Sequence, residues 1–276
     1  MMRINFCNPF GTDAFDPFIE ESLAPYLRDD VELVVTHLDD CPRNIDYYVP
    51  KHLVETSVLR AVVEADRAGY DAFVIGCCYD PGLTQARELT DMPVVGPLEA
   101  SIALARPFGH RFSVVTDHQK AVPELEDLVR LYGAEPNCRS VRAIDWYITD
   151  MIRDPAAVGR DAQAKCAEVM QADGAETVIL GCTIIAACYE RQALAGDPAL
   201  EPAAIINPNL MAVKVAELLG DLRAAGQYRI SRSGYYRKHE QHDPAEAREV
   251  LDLLTGTSAP YAGTEASTRP STTLLS

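Results

Sequence analysis

Two cysteines stand at equivalent points of a stretch that the chain contains twice. Gly69-Tyr70-Asp71-Ala72-Phe73-Val74-Ile75-Gly76-Cys77 reappears as Gly174-Ala175-Glu176-Thr177-Val178-Ile179-Leu180-Gly181-Cys182. Two thiols facing one small molecule can remove a proton from one face of a carbon and return it to the other. A hydrogen α to a carbonyl is weakly acidic, so such a site needs a base, an opposed acid and donors for the enolate oxygen. A thiol titrates near pH ~8.5, and a helix N-terminus lowers that value. Both cysteines precede predicted helices, so each is expected to be able to exist as a thiolate. One thiol would serve a decarboxylase or a one-base isomerase; two allow racemisation or cis–trans isomerisation. Free cysteine is among the most buried residue types, and Cys7, Cys138, Cys166 and Cys188 read as inert core. The duplicated position argues the reverse for Cys77 and Cys182. For Cys78, the backbone N–H is expected to face the ligand while the side chain packs behind the strand.

The elements that must position these thiols are short and repetitive. Each copy of the stretch has a continuous apolar run without alternation, the pattern of a strand buried on both faces. Each ends in Gly-Cys, which puts the thiol at the carboxyl end, where open α/β sheets bind ligands. In the first half, strands at Arg3–Cys7 and Val31–His37, helices at Asp16–Leu27 and about Leu53–Ala68, and a helix from Asp80 to about Leu89 surround it. A strand at Pro93–Gly96 follows. Arg43–Lys51, with Tyr47, Tyr48 and Pro50, reads as a loop. The second half repeats the order, with strands at Arg111–Thr116 and Asn137–Arg142, helices at Val122–Tyr132, Val158–Ala172 and from about Thr183, and a stretch Ala203–Leu210 that parallels Pro93–Leu98. Each half is therefore a β-α series that implies a parallel sheet flanked by helices.

The expected fold is α/β, with two pseudo-symmetric lobes and the active site in the cleft between them. One lobe comprises residues 1–98 with 208–225, the other 99–207. A C-terminal extension spans 226–255, with one helix at Pro244–Leu254. Residues 256–276, rich in Ser, Thr, Ala and Pro, are expected to be disordered.

Composition narrows the function. A chain of 276 residues with 47% hydrophobic and 24% charged residues is an ordinary globular protein. A net charge of −16 argues against a nucleic-acid partner and an anionic membrane surface. Met1 to Pro9 lacks the apolar region of a signal peptide. Eight cysteines without a secretion signal suggest free thiols in a reducing, cytoplasmic setting. Neither they nor the six histidines show metal-ligand spacing. No metal and no cofactor are expected. The expected partners are a small-molecule substrate and further copies of the chain in a homo-oligomer.

Gly76-Cys77-Cys78-Tyr79-Asp80-Pro81-Gly82-Leu83, paired with Val178-Ile179-Leu180-Gly181-Cys182, resembles the Asp/Glu/hydantoin racemase superfamily, closest to its hydantoin and allantoin branch. Asn8-Pro9 after the first strand, Phe112-Ser113-Val114-Val115-Thr116 and the Pro123–Val129 helix add to the likeness, which covers roughly residues 3–222. The resemblance implies a cofactor-independent racemase in which Cys77 and Cys182 act on opposite faces of a substrate carbon. Three positions depart from the family pattern: Asn8-Pro9-Phe10 for Asn-Pro-Asn, Thr183-Ile184-Ile185 after the second cysteine, and Asn207-Pro208-Asn209 near the last strand.

Candidate substrate-binding residues surround this pair. Asn8 and Thr116 end equivalent strands and would donate hydrogen bonds across the cleft, although both types also simply form turns. Phe10 and Tyr48 would wall the pocket, though a loop aromatic more often covers core. Cys78 and Thr183 adjoin the two thiols. His118 is expected to be a solvated loop histidine, and Asp80 the cap of the helix that follows it. The leading expectation is a racemase of a small cyclic ureide or amide, a 5-substituted hydantoin or allantoin. The alternatives are a maleate-type cis–trans isomerase or related one-thiol decarboxylase, and a non-catalytic small-molecule-binding accessory protein.

Overall fold

The computed structural model describes residues 1–257. Its first half runs β1 (Met2–Cys7), α1 (Asp16–Leu23), β2 (Val31–Thr36), α2 (Tyr48–Arg67), β3 (Ala72–Ile75), α3 (Leu83–Leu89), β4 (Val94–Val95) and α4 (Pro97–Leu104). The second runs β5 (Phe112–Thr116), α5 (Val122–Leu131), β6 (Cys138–Ala143), α6 (Ile148–Met151), α7 (Pro155–Asp173), β7 (Thr177–Leu180), α8 (Thr183–Leu194), β8 (Ile205–Ile206) and α9 (Pro208–Ala224). These strands build two separate four-stranded parallel sheets, ordered β2-β1-β3-β4 and β6-β5-β7-β8. The duplicated stretch thus supplies the same strand, β3 or β7, to each sheet. α9 returns to the first sheet and packs on β1, β3 and α4.

Strand order decides where a ligand can enter. In each sheet the chain moves from the central strand to one side and then crosses to the other, so the switch point falls between β1 and β3, and between β5 and β7. Loops leaving adjacent strands diverge there and open a crevice at their carboxyl ends. Cys77 follows β3, and Cys182 follows β7. The strands themselves are fixed by burial: Phe73, Val74 and Ile75, like Val178, Ile179 and Leu180, are fully enclosed.

Helix boundaries differ from the sequence expectation where proline or backbone conformation intervenes. The segment read as a loop around Tyr48 is the first turn of α2, in which Pro50 sits where its missing N–H breaks no helical bond. The helix expected from Asp80 begins instead at Leu83, because Asp80 (φ 46°) and Gly82 (φ 70°) adopt left-handed conformations. Pro25 falls in a short 3₁₀ turn, Ala24–Tyr26, after α1 has ended at Leu23. Asp154 and Asn207 cap α7 and α9 with their side chains, each at the position before a proline.

Residues 1–238 form one compact unit. Its last segment is tied down by Arg232, whose guanidinium donates to the Arg87 carbonyl (2.7 Å) and the Thr90 carbonyl (2.6 Å) at the end of α3. From His239 a second unit begins, and its described part holds the helix α10 (Pro244–Thr255), capped by Asp243. The expected disordered tail lies, from residue 258 on, outside the described residues.

The two glycines before the cysteines are required by close approach. A Cβ on Gly76 would lie 2.5 Å from Phe6 Cε1 and 2.7 Å from the Cys7 carbonyl oxygen; on Gly181 it would lie 2.6 Å from Val114 Cγ1. A backbone carbonyl held in a sheet yields less than a methyl group. Gly76→Ala should therefore cost about 1–3 kcal/mol, and Gly181→Ala less, measured as loss of stability in chemical denaturation. Wild-type stability for Gly76→Ala would show that the strand end has room that this packing denies.

Candidate active site

The carboxyl ends of β3 and β7 meet at one small cavity. Cys77, Cys78 and Tyr79 line it from one sheet, and Gly181, Cys182 and Thr183 from the other. Phe10, Ile45 and Ile148 make its apolar wall, and Asp46 and Asp117 its acidic one. Both repeated glycines bond to the neighbouring central strand: Gly76 N–H donates to the Cys7 carbonyl (2.8 Å) and Gly181 N–H to the Val115 carbonyl (2.7 Å). The Thr183 hydroxyl spans the gap and donates to the Gly76 carbonyl at 2.9 Å. Asn209 in turn donates to the Thr183 carbonyl (2.8 Å), so α9 braces the same corner. The cavity measures about 20 Å³, room for about one water. Two roomier polar clefts of about 500 and 520 Å³, around Arg60 and around Arg87, contain neither member of the cysteine pair.

Burial dominates the state of the thiols. Cys77 is pushed up to about 12 by desolvation, against the pull of the Tyr79 N–H and the Lys51 charge. Cys182 is raised well above the ordinary thiol value by burial and the Asp117 charge, although the Ile185 and Ile184 N–H groups at the start of α8 bond to its sulfur. The helix-terminus effect expected from the sequence is therefore present at Cys182 but outweighed by desolvation. Cys77 has no helix directly after it, and its local support is a turn amide and a lysine.

Lys51 was not signalled by the sequence, where a lysine on a helix reads as a solvated group. It is 7% exposed, ion-paired with Glu124 of α5, and its Nζ lies 3.3 Å from the Tyr79 ring centroid. It joins α2 to α5 and adds positive charge beside Cys77.

The remaining candidates divide clearly. Phe10, Cys78 and Thr183 line the cavity. The Cys78 sulfur packs in the second sheet's core, 3.7 Å from the Leu180 carbonyl oxygen. Asn8 and Thr116 stand behind the wall. Asn8 Nδ2 donates to Asp16 Oδ1 (2.6 Å), and the Thr116 hydroxyl bonds Asp117 Oδ1 (3.0 Å) and the Gly181 carbonyl (3.3 Å). Neither lines the cavity: the Asn8 amide N–H is taken by Asp16 and the Thr116 hydroxyl by its own strand end, while Asn8 Oδ1 is buried without a partner. Tyr48 is half exposed at the start of α2, with Lys51 and Lys120 over its ring, and does not line the cavity.

Two polar residues differ from the expectation more sharply. His118 is no solvated loop residue: it is 2% exposed, with Nε2 3.4 Å from Asp46 Oδ1 and its ring stacked on Tyr147. Burial pulls the imidazolium down, but the neighbouring Asp46 and Asp117 carboxylates outweigh it, so its pKa is raised. Asp80 is a cap, but of α4: it accepts from Leu98 N–H (3.2 Å) and Glu99 N–H (2.9 Å), and from the Tyr132 hydroxyl (2.7 Å). Among the described residues, Asp46, Asp117 and His118 form the one group whose spacing could hold a metal ion, with ligand atoms within 4.8 Å of one another.

With both thiols raised, the thiolate fraction grows about tenfold per pH unit across the neutral and mildly alkaline range. Alkylation of Cys77 and Cys182 by iodoacetamide, followed by peptide mass spectrometry, should be slow at pH 7 and accelerate steeply by pH 10. Rapid modification of either at pH 7, at the rate of an exposed cysteine peptide, would contradict a desolvated neutral thiol.

Comparison with known proteins gives this arrangement a family. The family model for Asp/Glu/Hydantoin racemase matches residues 4–216. A hydantoin racemase of Rhizobium meliloti is 33% identical over 219 residues, covering 79% of this chain and 88% of that protein. Another, from Pseudomonas sp. (strain NS671), is 36% identical over 181 residues, covering 66% and 73%. The solved allantoin racemase from Klebsiella pneumoniae has a TM-score of 0.76 at 25% identity, covering 86% of this chain and 94% of that one. No described helix is long and apolar enough to cross a membrane. The chain belongs to the Asp/Glu/hydantoin racemase family, on its hydantoin and allantoin racemase branch, and is an isomerase.

Proposed function

We propose that this racemase inverts the stereocentre of a small cyclic ureide, a 5-substituted hydantoin or allantoin, by proton transfer between Cys77 and Cys182. The observation that carries the reading is that the two cysteines follow equivalent strands of two sheets and line one cavity. The relatives described as hydantoin and allantoin racemases support the substrate class. A ring carbon between a nitrogen and a carbonyl carries a weakly acidic hydrogen, and removing it leaves an enolate that backbone N–H donors at a strand end can stabilise. One cysteine, as thiolate, takes the hydrogen; the other, as thiol, delivers its proton to the opposite face. The pair exchanges roles for the other enantiomer, so no cofactor is consumed. Lys51 and the Tyr79 amide favour the thiolate at Cys77, and the α8 amides favour it at Cys182. The substituent on the ring would lie against Phe10, Ile45 and Ile148.

A cavity of about 20 Å³ is far below the ~300–1,000 Å³ of sites that hold small molecules. Entry therefore requires the cavity to widen, and the movement we propose is of the segment between β2 and α2, the loop that carries Ile45 and Asp46. Closure over the bound ring would then remove water from the reacting carbon.

Cys77→Ser and Cys182→Ser preserve shape but remove a usable anionic base, because a serine hydroxyl is far too weak an acid. Each variant should lose net racemisation by ~10²–10⁴. Each should also retain exchange of the α-hydrogen with solvent deuterium for one enantiomer only, with opposite preferences in the two variants. Following deuterium incorporation into separate D- and L-5-substituted hydantoins tests this. Near wild-type racemisation by either variant would overturn the two-thiol mechanism.

A further inference from the structure

The two thiols leave three buried titratable side chains beside the cavity unassigned. Asp46 and Asp117 line it, at 3% and 4% exposure, and His118 stands behind them at 2%. His118 Nε2 approaches Asp46 Oδ1 at 3.4 Å and Asp117 Oδ1 at 3.9 Å. Asp46 Oδ2 is fully buried and has no partner. Asp117 is held through one oxygen: Oδ1 accepts from the Thr116 hydroxyl (3.0 Å) and the His118 N–H (2.9 Å). Both bonds fall on Oδ1, which leaves Oδ2 for a bound donor.

A buried carboxylate oxygen without a donor is costly, and structures rarely keep one without a use. One imidazole cannot serve all the oxygens of two carboxylates, so this wall keeps unused acceptors, Asp46 Oδ2 among them. It complements a neutral ligand that presents N–H groups. It disfavours one that brings its own carboxylate, which adds acceptors and no donor to a desolvated site. The opposite positions of the first lobe, Pro9 and Phe10 after β1, are apolar where the second lobe has Asp117 and His118 after β5. The cavity is thus symmetric in its thiols and asymmetric in its polarity.

We propose that Asp117 and Asp46 are specificity-determining residues that accept the N–H edge of a cyclic ureide, with Asp117 taking the N–H beside the reacting carbon and His118 positioning Asp46. This rests on the racemase reading for the identity of the reacting carbon, but its recognition chemistry can be measured without turnover. Because Asp46 is carried by the loop proposed to move for entry, its oxygen would meet the ring only on closure. The ring N–H groups would then replace the missing donors, and the ring-opened carboxylate would be excluded.

The test uses ligands with no exchangeable hydrogen on the corresponding carbon. 5,5-Dimethylhydantoin presents both ring N–H groups. 3,3-Dimethylsuccinimide has CH₂ in place of the N–H beside that carbon, and 2-methyl-2-ureidopropionate is the ring-opened carboxylate. Isothermal titration calorimetry on the full-length wild-type protein should show the hydantoin binding about ten- to a hundredfold more tightly than either of the others. Asp117→Asn should shrink both preferences at least about tenfold, and Asp46→Asn should chiefly relax rejection of the carboxylate. Equal wild-type binding of hydantoin and succinimide would overturn the proposal, as would unchanged preferences in a folded Asp117→Asn. Stoichiometric metal bound to the purified protein and lost in His118→Ala would also overturn it, by assigning the cluster to an ion. If either variant fails to fold, the wild-type comparison still decides. Selective hydantoin binding without any α-hydrogen exchange on chiral hydantoins would instead sink the racemase reading and leave this assignment standing.

Discussion

The hydrogen bond from the Thr183 hydroxyl to the Gly76 carbonyl (2.9 Å) joins the ends of two strands that belong to different sheets. Glycine follows each strand directly, and both sheets have the same order, which puts a switch point at the same place in each. Once the strand ends meet, the residues after the glycines have nowhere to go except the space between them. That space holds Cys77 and Cys182, and it is small enough to exclude almost all water. The raised thiol pKa values, and the proton transfer proposed for the pair, follow from one packing constraint.

That constraint sets an energetic conflict. A thiolate is the useful form of the cysteine, and burial disfavours it. The protein opposes burial in two ways suited to the two lobes: amides at the start of α8 for Cys182, and the Lys51 charge with a turn amide for Cys77. Lys51 is itself kept in place by Glu124 and by the Tyr79 ring, so the support for one thiol depends on a contact between α2 and α5. Neither device overcomes desolvation in the closed cavity. Opening, which the proposed ring-shaped substrate requires, would hydrate the thiols and bring them toward ionisation.

Much of this was readable from the duplicated Gly-Cys stretch. The apolar runs around Val74 and Ile179 specify buried parallel strands, and the doubled order specifies two sheets, because both signals are local. What failed depended on distant partners. His118 in a Thr-Asp-His strand end looks like a polar turn until Asp46 and Tyr147, from two other loops, close over it. Asp80 looks like the cap of the next helix, but left-handed backbone at Asp80 and Gly82 turns its carboxylate toward α4 instead. Tyr48 looks like a loop aromatic because Pro50 follows it, yet proline is tolerated in a first helical turn. The helix-terminus argument for thiol acidity identified a real interaction at Cys182. Its outcome depended on burial, which no single stretch of sequence reports.

The central claim is that two opposed thiols, rather than one, handle the proton. The most direct measurement is wild-type turnover of a single hydantoin enantiomer in deuterium oxide, stopped after a few per cent conversion. Product and recovered substrate are then separated and examined by mass spectrometry. Two thiols predict deuterium on the stereocentre of nearly every product molecule and little in the recovered substrate, because the delivering thiol carries a solvent-derived deuteron. Substantial protium carried over into the product would show that one group removes and returns the same hydrogen, and would contradict the account.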